Sequence, residues 1–540
     1  MKQKISKGTL SFVLCCLLIA LLSLPTLVAS WDFSWFGNPD QDLVFLRDGW
    51  RLYQQKSPLY SEHPGAIQSL VVAFAAWMQQ LFGIVTAELY SAPSEEELQG
   101  IFQLAKMVNY LMYVLLIAVI VKRISSFTGA YSALIIGCIV AISSGLSVEI
   151  VQLRNEAYSS LFFILATSQI LTYQSRELRQ ETTALNPSRF WMHITIYIVL
   201  SGLSVMAKVQ IVPLLFFLCL GISLLGKVSN GMNRINVFTR SIVSSFATSV
   251  LVLLATKTVD LHLGKQGFAV GVFTIMVILF PIFWTNQLRP TSWKHDISCA
   301  LFSATALSLF LYIFYLINPG WVSTFLDISK SSVHAVSGSS CSSLSCSLQL
   351  ASDSIYYLFK RMFWSNMFSS FMGALIMCYF SCLAFMQIER SRAFTIVLVC
   401  IISFTSFSIF SLEYGVIGKS ITILGCMLGA ALAEFAGINN ESLVKQKMSL
   451  FVFFCSIFIA VFCGLRWPAD HYLMFQQPFL VFGLLTEPSL KSFKTLRLAL
   501  CTSMFASLFY IQGINLRLLS YTYQKSLDLS SPDLCATQHQ

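Results

Sequence analysis

Residues 38–48 read Asn38-Pro39-Asp40-Gln41-Asp42-Leu43-Val44-Phe45-Leu46-Arg47-Asp48, and they follow closely on an uninterrupted apolar run from Thr9 to Ser30. At 1.5 Å of rise per residue, such a run as a helix covers the roughly 30 Å of a bilayer's hydrocarbon core. An Asp costs about 2.5–3.5 kcal/mol at the bilayer centre and little at its rim, so acids placed just beyond a span sit at a wet membrane face. The order of these two stretches sets the fold class: helices that cross a membrane, with polar loops at its surfaces.

The rest of the composition agrees. Of 540 residues, 56% are hydrophobic and 11% are charged, and the mean hydropathy is +0.70. A soluble globular chain carries about 25% charged residues, so this is an all-α polytopic membrane protein. The net charge of +10 comes from Lys and Arg clustered between apolar runs, without the basic-aromatic face that nucleic acid requires, so no nucleic-acid partner is expected. Most of the fifteen cysteines lie inside apolar runs, as Cys15, Cys16, Cys378, Cys400 and Cys455 do, and act there as small hydrophobes. Cys341 and Cys346 share a polar loop and can pair if it faces an oxidising compartment.

Lys2, Lys4 and Lys7 precede the first apolar run, which ends in Leu27-Val28-Ala29-Ser30 and resembles a cleavable signal. Its length favours a retained first helix with a cytoplasmic N-terminus. Further apolar runs recur along the chain and predict roughly 13 to 15 transmembrane helices. With the first helix running outward, every second connection is basic: Lys122-Arg123, then Arg176, Arg179 and Arg189, then Lys227, Arg234 and Arg240, and so on through Lys491, Lys494 and Arg497. The segment from Ala66 to Val85 would invert this alternation if it crossed, so it is expected on or partly in the outer interface. No repeat and no interdomain linker is visible. The expectation is one domain over 1–540, with an outer loop at 31–100 bearing interfacial helices and a large outer loop at 319–365.

Four constellations can carry chemistry. Asp40 and Asp42 flank Gln41, with Asp48 beyond; two close carboxylates raise one another's pKa, and one can act as a base, whereas the bland reading is a solvated acidic loop. Glu149 through Glu156 places two acids and Arg154 at the next outward turn, although Glu156 also suits a helix N-terminus. Lys208 interrupts apolar sequence, either snorkelling to the interface or meeting an anionic headgroup. Arg466, Asp470, His471 and Tyr472 stand together beside Trp467-Pro468, offering donors to a phosphate or forming an aromatic belt. There is no Gly-x-x-x-x-Gly-Lys loop, no His-Glu-x-x-His, no Gly-x-Ser-x-Gly and no Cys-x-x-Cys pair.

In Pro39-Asp40-Gln41-Asp42 running to His63-Pro64-Gly65, in Arg154-Asn155-Glu156, in Lys208-Val209-Gln210 and in His471-Tyr472-Leu473, the chain resembles the polytopic glycosyltransferases of the GT-C fold. It is closest in flavour to the bacterial dolichyl-phosphate-mannose-type and aminoarabinose-type transferases. The resemblance implies a GT-C-like bundle in a bacterial inner or plasma membrane, acting in the cell envelope. It implies sugar transfer from a polyprenyl-phosphate donor to a lipid or glycan acceptor at the outer face, by a single inverting displacement. Asp40 would be the catalytic base, Asp42 its neighbour or substitute, and Glu156 with Arg154 the second wall. Arg154, Lys208, Arg466, His471 and Tyr472 would hold the donor phosphate. Relatives often carry Glu where this chain has Gln41, which disfavours a divalent metal; no cofactor is expected. A flippase or transporter, or a ligase for lipid-linked saccharides, is the alternative, and a transporter would be expected to show repeats and helices broken near the midplane.

Overall fold

The computed structural model describes residues 7–35, 42–59, 65–83, 93–179, 187–208, 234–261, 263–287, 293–327, 343–363, 366–388, 392–411 and 415–438, with parts of 211–219 and 449–513. Among the described residues every regular element is helical and no strand occurs. Among the described residues eight helices are long and apolar enough to cross a membrane, or up to 9 if one bent pair is a single span. The protein is an all-α, multi-pass integral membrane protein.

In chain order the helices are α1 (Lys7–Ala29), α2 (Asp42–Tyr53), α3 (Ala66–Leu81), α4 (Glu95–Thr128), α5 (Ala130–Ala141), α6 (Ser144–Val151), α7 (Glu156–Arg179) and α8 (Pro187–Ala207). They continue as α9 (Arg234–Lys257), α10 (Lys265–Gln287), α11 (Trp293–Ile317), α12 (Pro319–Leu326), α13 (Leu344–Met362), α14 (Asn366–Ile388), α15 (Arg392–Phe410) and α16 (Gly415–Ile438). The chain divides into two compact units. One comprises Met1–Ala130, Leu146–Val336 and Asn515–Gln540, the other Tyr131–Gly145 and Ser337–Ile514.

In the first unit α4 sets the scale. Its 34 residues make about 50 Å of helix, some 20 Å more than a bilayer core needs. Ser94 and Glu97 close its N-terminus as a reciprocal capping box, and Glu95, Glu96 and Glu97 suit the positive end of its dipole. The surplus length is where α2 and α3 pack. In α2 the buried positions are Asp42, Phe45, Leu46, Asp48, Gly49 and Trp50, a stripe at helical spacing, and Arg47 points away. Phe45, Leu46 and Trp50 form one core with Val72, Ala75 and Ala76 of α3, Ile101, Phe102 and Ala105 of α4, and Leu153. On the far side of α3, Phe74, Trp77 and Leu81 stay exposed, so the helix buries one face and presents an apolar stripe on the other. At 16 residues α3 is too short to span.

In this unit α7 is as long as a span but more polar, because Ser159, Ser160, Thr167, Ser168, Gln169 and Thr172 are all buried along it. It therefore falls outside the eight. In the second unit α14 and α16 are pressed together, since a Cβ on Gly429 would stand 2.4 Å from the Leu375 carbonyl oxygen. Here Cys346, at the start of α13, is disulfide-bonded.

Two outcomes test this packing. A Cβ on Gly49 would lie 2.4 Å from Val72 Cβ, whereas nothing stands within 4 Å of one on Gly264. Gly49→Ala should cost about 1–3 kcal/mol of stability, read as a lowered Tm in detergent, and Gly264→Ala should not. Maleimide should label Cys346 only after reduction, and labelling of the unreduced protein there would refute the disulfide.

Candidate functional site

The site forms where α6 stops and α7 begins. Between Val151 and Glu156 the helical ladder is broken, and a buried break leaves backbone amides that need side-chain acceptors. Two side chains, one distant and one from the end of α6, settle the account at the break, and a third, within the break, caps α3. Asp42 Oδ1 accepts the Leu153 amide at 2.6 Å, 111 residues away. Glu149 Oε2 accepts the Ala157 amide at 3.0 Å, capping α7 from the preceding helix. Asn155 Oδ1 accepts the Gln68 amide at 3.2 Å and so caps α3, whose own N-cap, Gly65, has no side chain to offer. A Cβ on Gly65 would meet Phe45 at 2.0 Å and Asn155 at 2.8 Å, so glycine is what lets α3 start there.

Charges gather around this break. Asp42 is 2% exposed, Glu149 0% and Glu156 2%. Glu156, the first residue of α7, forms an ion pair with Lys208, which follows α8. Arg154 Nε donates to Gln152 Oε1 at 2.6 Å, and its charge acts on both Asp42 and Glu149. Lys106 of α4 is fully buried; its ammonium donates to the Ser30 carbonyl at the end of α1 and lies 5.1 Å from the Phe102 ring centroid and 5.6 Å from that of Phe33. Three acids (Asp42, Glu149, Glu156) thus share one region with three bases (Lys106, Arg154, Lys208). A polar chain lines its inner wall. Tyr158 Oη donates to Asn109 Oδ1 at 2.7 Å, and Asn109 Nδ2 donates to Gln68 Oε1 at 3.2 Å. Glu149 Oε1 has no hydrogen-bond partner among the described residues.

Asp42 lies on α2, outside the candidate spans. Burial pushes its carboxyl from the usual 3.8 up to about 7, against the opposing pull of the Leu153 amide and of the Arg154 and Lys106 charges. A carboxylate tuned there can take a proton from a hydroxyl and release it again near neutral pH. Asp48, also buried, accepts the Leu59 amide at 2.8 Å and serves the turn after α2.

Of the residues singled out in the sequence, Asp42, Arg154, Glu156 and Lys208 come together in the first unit. Two of them assigned to different tasks, Glu156 and Lys208, are bonded to each other. Asp40, His63 and Pro64, and Arg466, His471 and Tyr472, lie outside the described residues. Lys106 was not singled out, although a lone cation in an apolar run is the same signal that marked Lys208. Among the described residues no group of three or more His, Cys, Asp or Glu side chains is placed to hold a metal ion. A separate cavity of about 620 Å³ opens between α9, α11 and α12, lined by Thr256, Thr305, Ser308, Tyr312 and Tyr315 among apolar side chains.

Comparisons with protein-family models, with curated proteins and with solved structures find no match.

The raised pKa of Asp42 has a thermodynamic consequence. The folded protein holds this proton up to about pH 7, while the unfolded chain loses it near 3.8. The contribution is therefore most favourable below pH 4, declines as the pH rises to about 7, and then levels, a difference of roughly 4 kcal/mol. Asp42→Asn keeps an oxygen for the Leu153 amide and removes the proton. In detergent, wild-type Tm minus Asp42→Asn Tm should fall between pH 5 and pH 8; a difference independent of pH would show that Asp42 is not so tuned.

Proposed function

We infer that the protein is a membrane glycosyltransferase that moves a sugar from a polyprenyl-phosphate donor to a lipid or glycan acceptor. The observation that carries this reading is the convergence of Asp42, Arg154, Glu156 and Lys208, from three separated stretches, on one break in the helical ladder. Such transfer needs a base for the acceptor hydroxyl and cations for the departing phosphate, and this region holds both kinds of group. Asp42, with its carboxyl near neutrality, takes the role of base beside or in place of Asp40. Lys208 and Arg154 stabilise the phosphate as its charge develops, and Glu156 holds the Lys208 ammonium at the site until the donor arrives. With one base and no covalent intermediate, the displacement inverts the anomeric carbon.

The finer architecture belongs to the same reading. A GT-C-like bundle of roughly 13 to 15 spans would include α7 and the stretches beyond 438, with the N-terminus in the cytoplasm of a bacterial cell and the site on the outer face of its inner membrane. The disulfide at Cys346 supports an outward place for the loop before α13, since disulfides persist in oxidising compartments. Arg466, His471 and Tyr472 would complete the phosphate pocket.

Purified protein in vesicles, given a panel of radiolabelled polyprenyl-phosphate sugars, should release free lipid phosphate with at least one of them. Asp42→Asn should lower turnover by roughly 10²–10⁴ at unchanged protein abundance, while Lys208→Ala should chiefly raise the donor concentration needed. Equal turnover by wild type and Asp42→Asn, or no release with any donor, would contradict the assignment.

A further inference from the structure

The paired residues of α7 and α8 are Glu156 with Lys208, Ser159 with Ser204, and Gln169 with His193. Their numbers rise on one helix as they fall on the other, so the two run antiparallel with a polar seam between them. At one end is the Glu156–Lys208 ion pair. Next, Ser159 Oγ donates to the Ser204 carbonyl at 2.8 Å and Ser204 Oγ to the Ser159 carbonyl at 2.7 Å. At the far end the Gln169 amide meets His193 Nδ1, with the Tyr173 ring 6.3 Å from the imidazole. Thirteen residues of α7 separate Glu156 from Gln169, about 20 Å along the axis.

Along the two helices, Thr167 of α7 and Tyr197 and Ser201 of α8 fall at levels between the two ends. Their hydroxyls are buried, and none has a hydrogen-bond partner among the described residues. That is unusual for these helices. Ser160 donates to the Glu156 carbonyl, Ser168 to that of Leu165 and Thr172 to that of Ser168, the ordinary fate of a hydroxyl inside a helix. Thr167 and Ser201 do not turn back in this way; the Ser201 and Tyr197 hydroxyls, one turn apart on α8, act on each other at the margin of hydrogen-bond geometry. Buried polar groups are seldom left unsatisfied, and roomy polar sites in membrane bundles take up water.

The spacing fits water. His193, Tyr197, Ser201 and Ser204 of α8 and Lys208 just beyond it follow one another in steps of three or four residues, or about 4.5–6 Å at helical rise. One water bridging two oxygens spans about 5.6 Å, twice an ordinary O–H···O distance. We propose that the α7–α8 seam is a proton path: water molecules held by Thr167, Tyr197 and Ser201 link Glu156 at one end to His193 at the other. A proton enters at the Glu156 carboxylate. At each step the receiving oxygen gains an O–H bond as the preceding group gives one up, and the imidazole of His193 takes the proton and releases it on the far side. No electron moves, and each transfer carries one positive charge. The ionisable groups facing the path are Glu149, Arg154 and Lys208 at the first end, Cys219 beside Tyr197, and Tyr173 beside His193. Carboxylate and imidazole groups strung through a membrane bundle are suited to proton relay, whereas a seam that only glues two helices has no use for unsatisfied hydroxyls.

The test uses the full-length protein in phosphatidylcholine vesicles that enclose a pH-sensitive dye, with a potassium gradient and valinomycin supplying the driving potential. Wild type should acidify the lumen roughly tenfold faster than protein-free vesicles, and Tyr197→Phe, which removes one hydroxyl, should bring the rate back to that baseline. Ser241→Ala, which removes a buried hydroxyl of α9 that bonds its own helix, should conduct like wild type. Should Tyr197→Phe fail to fold by thermal melt, Thr167→Val replaces it as a variant of nearly the same shape. Wild-type flux equal to protein-free vesicles, or flux unchanged in the folded Tyr197→Phe or Thr167→Val protein, would overturn the proposal.

Discussion

The structure of the first unit depends on how four residues, Gln152 to Asn155, are held where α6 gives way to α7. Exposed amides at such a break could bond to water; buried ones cannot, and an unsatisfied amide costs about 1–3 kcal/mol. Asp42 and Glu149 supply the missing acceptors, and Asn155 returns the favour by capping α3. The first polar loop is thereby fastened to the second, and with Leu153 in the core of α2, α3 and α4, the fastening is both polar and apolar.

Burying acids to satisfy amides has an electrostatic price, met by bringing bases to the same place. Lys106, Arg154 and Lys208 arrive from α4, from the break itself and from the end of α8, so three bases accompany the three acids. The grouping is not rigid. Asp42 sits near the point of losing its proton, and Lys208 holds Glu156 by an ion pair for which an incoming anion can compete. A region built this way is held together by groups that can exchange partners, which is the condition for proton transfer and for phosphate binding alike.

Much of the local structure was legible in the residues. The stripe Asp42, Phe45, Leu46, Gly49, Trp50 marks α2, and the short apolar run after Gly65 marks α3, whose exposed face carries Phe74 and Trp77. Arg154-Asn155-Glu156 and Lys208 stood out as polar interruptions. The partnerships were not legible: Glu156 and Lys208 are 52 residues apart, Asp42 and Leu153 are 111 apart, and nothing in either stretch names the other. Part of the polarity of α7 makes sense only once α8 is beside it, because Glu156, Ser159 and Gln169 meet Lys208, Ser204 and His193 there. Lys106 shows the opposite case, a signal present in the sequence whose meaning depends on where α1 ends and α2 begins.

The central claim is that a lipid-linked sugar phosphate is held at the break between α6 and α7. A cryo-EM map of the protein in a lipid nanodisc with a polyprenyl-phosphate sugar tests it most directly. The phosphate should stand within about 3 Å of the Lys208 ammonium or the Arg154 guanidinium, with the anomeric carbon turned toward Asp42. Phosphate density elsewhere in the protein, with Glu156 and Lys208 still paired, would contradict it.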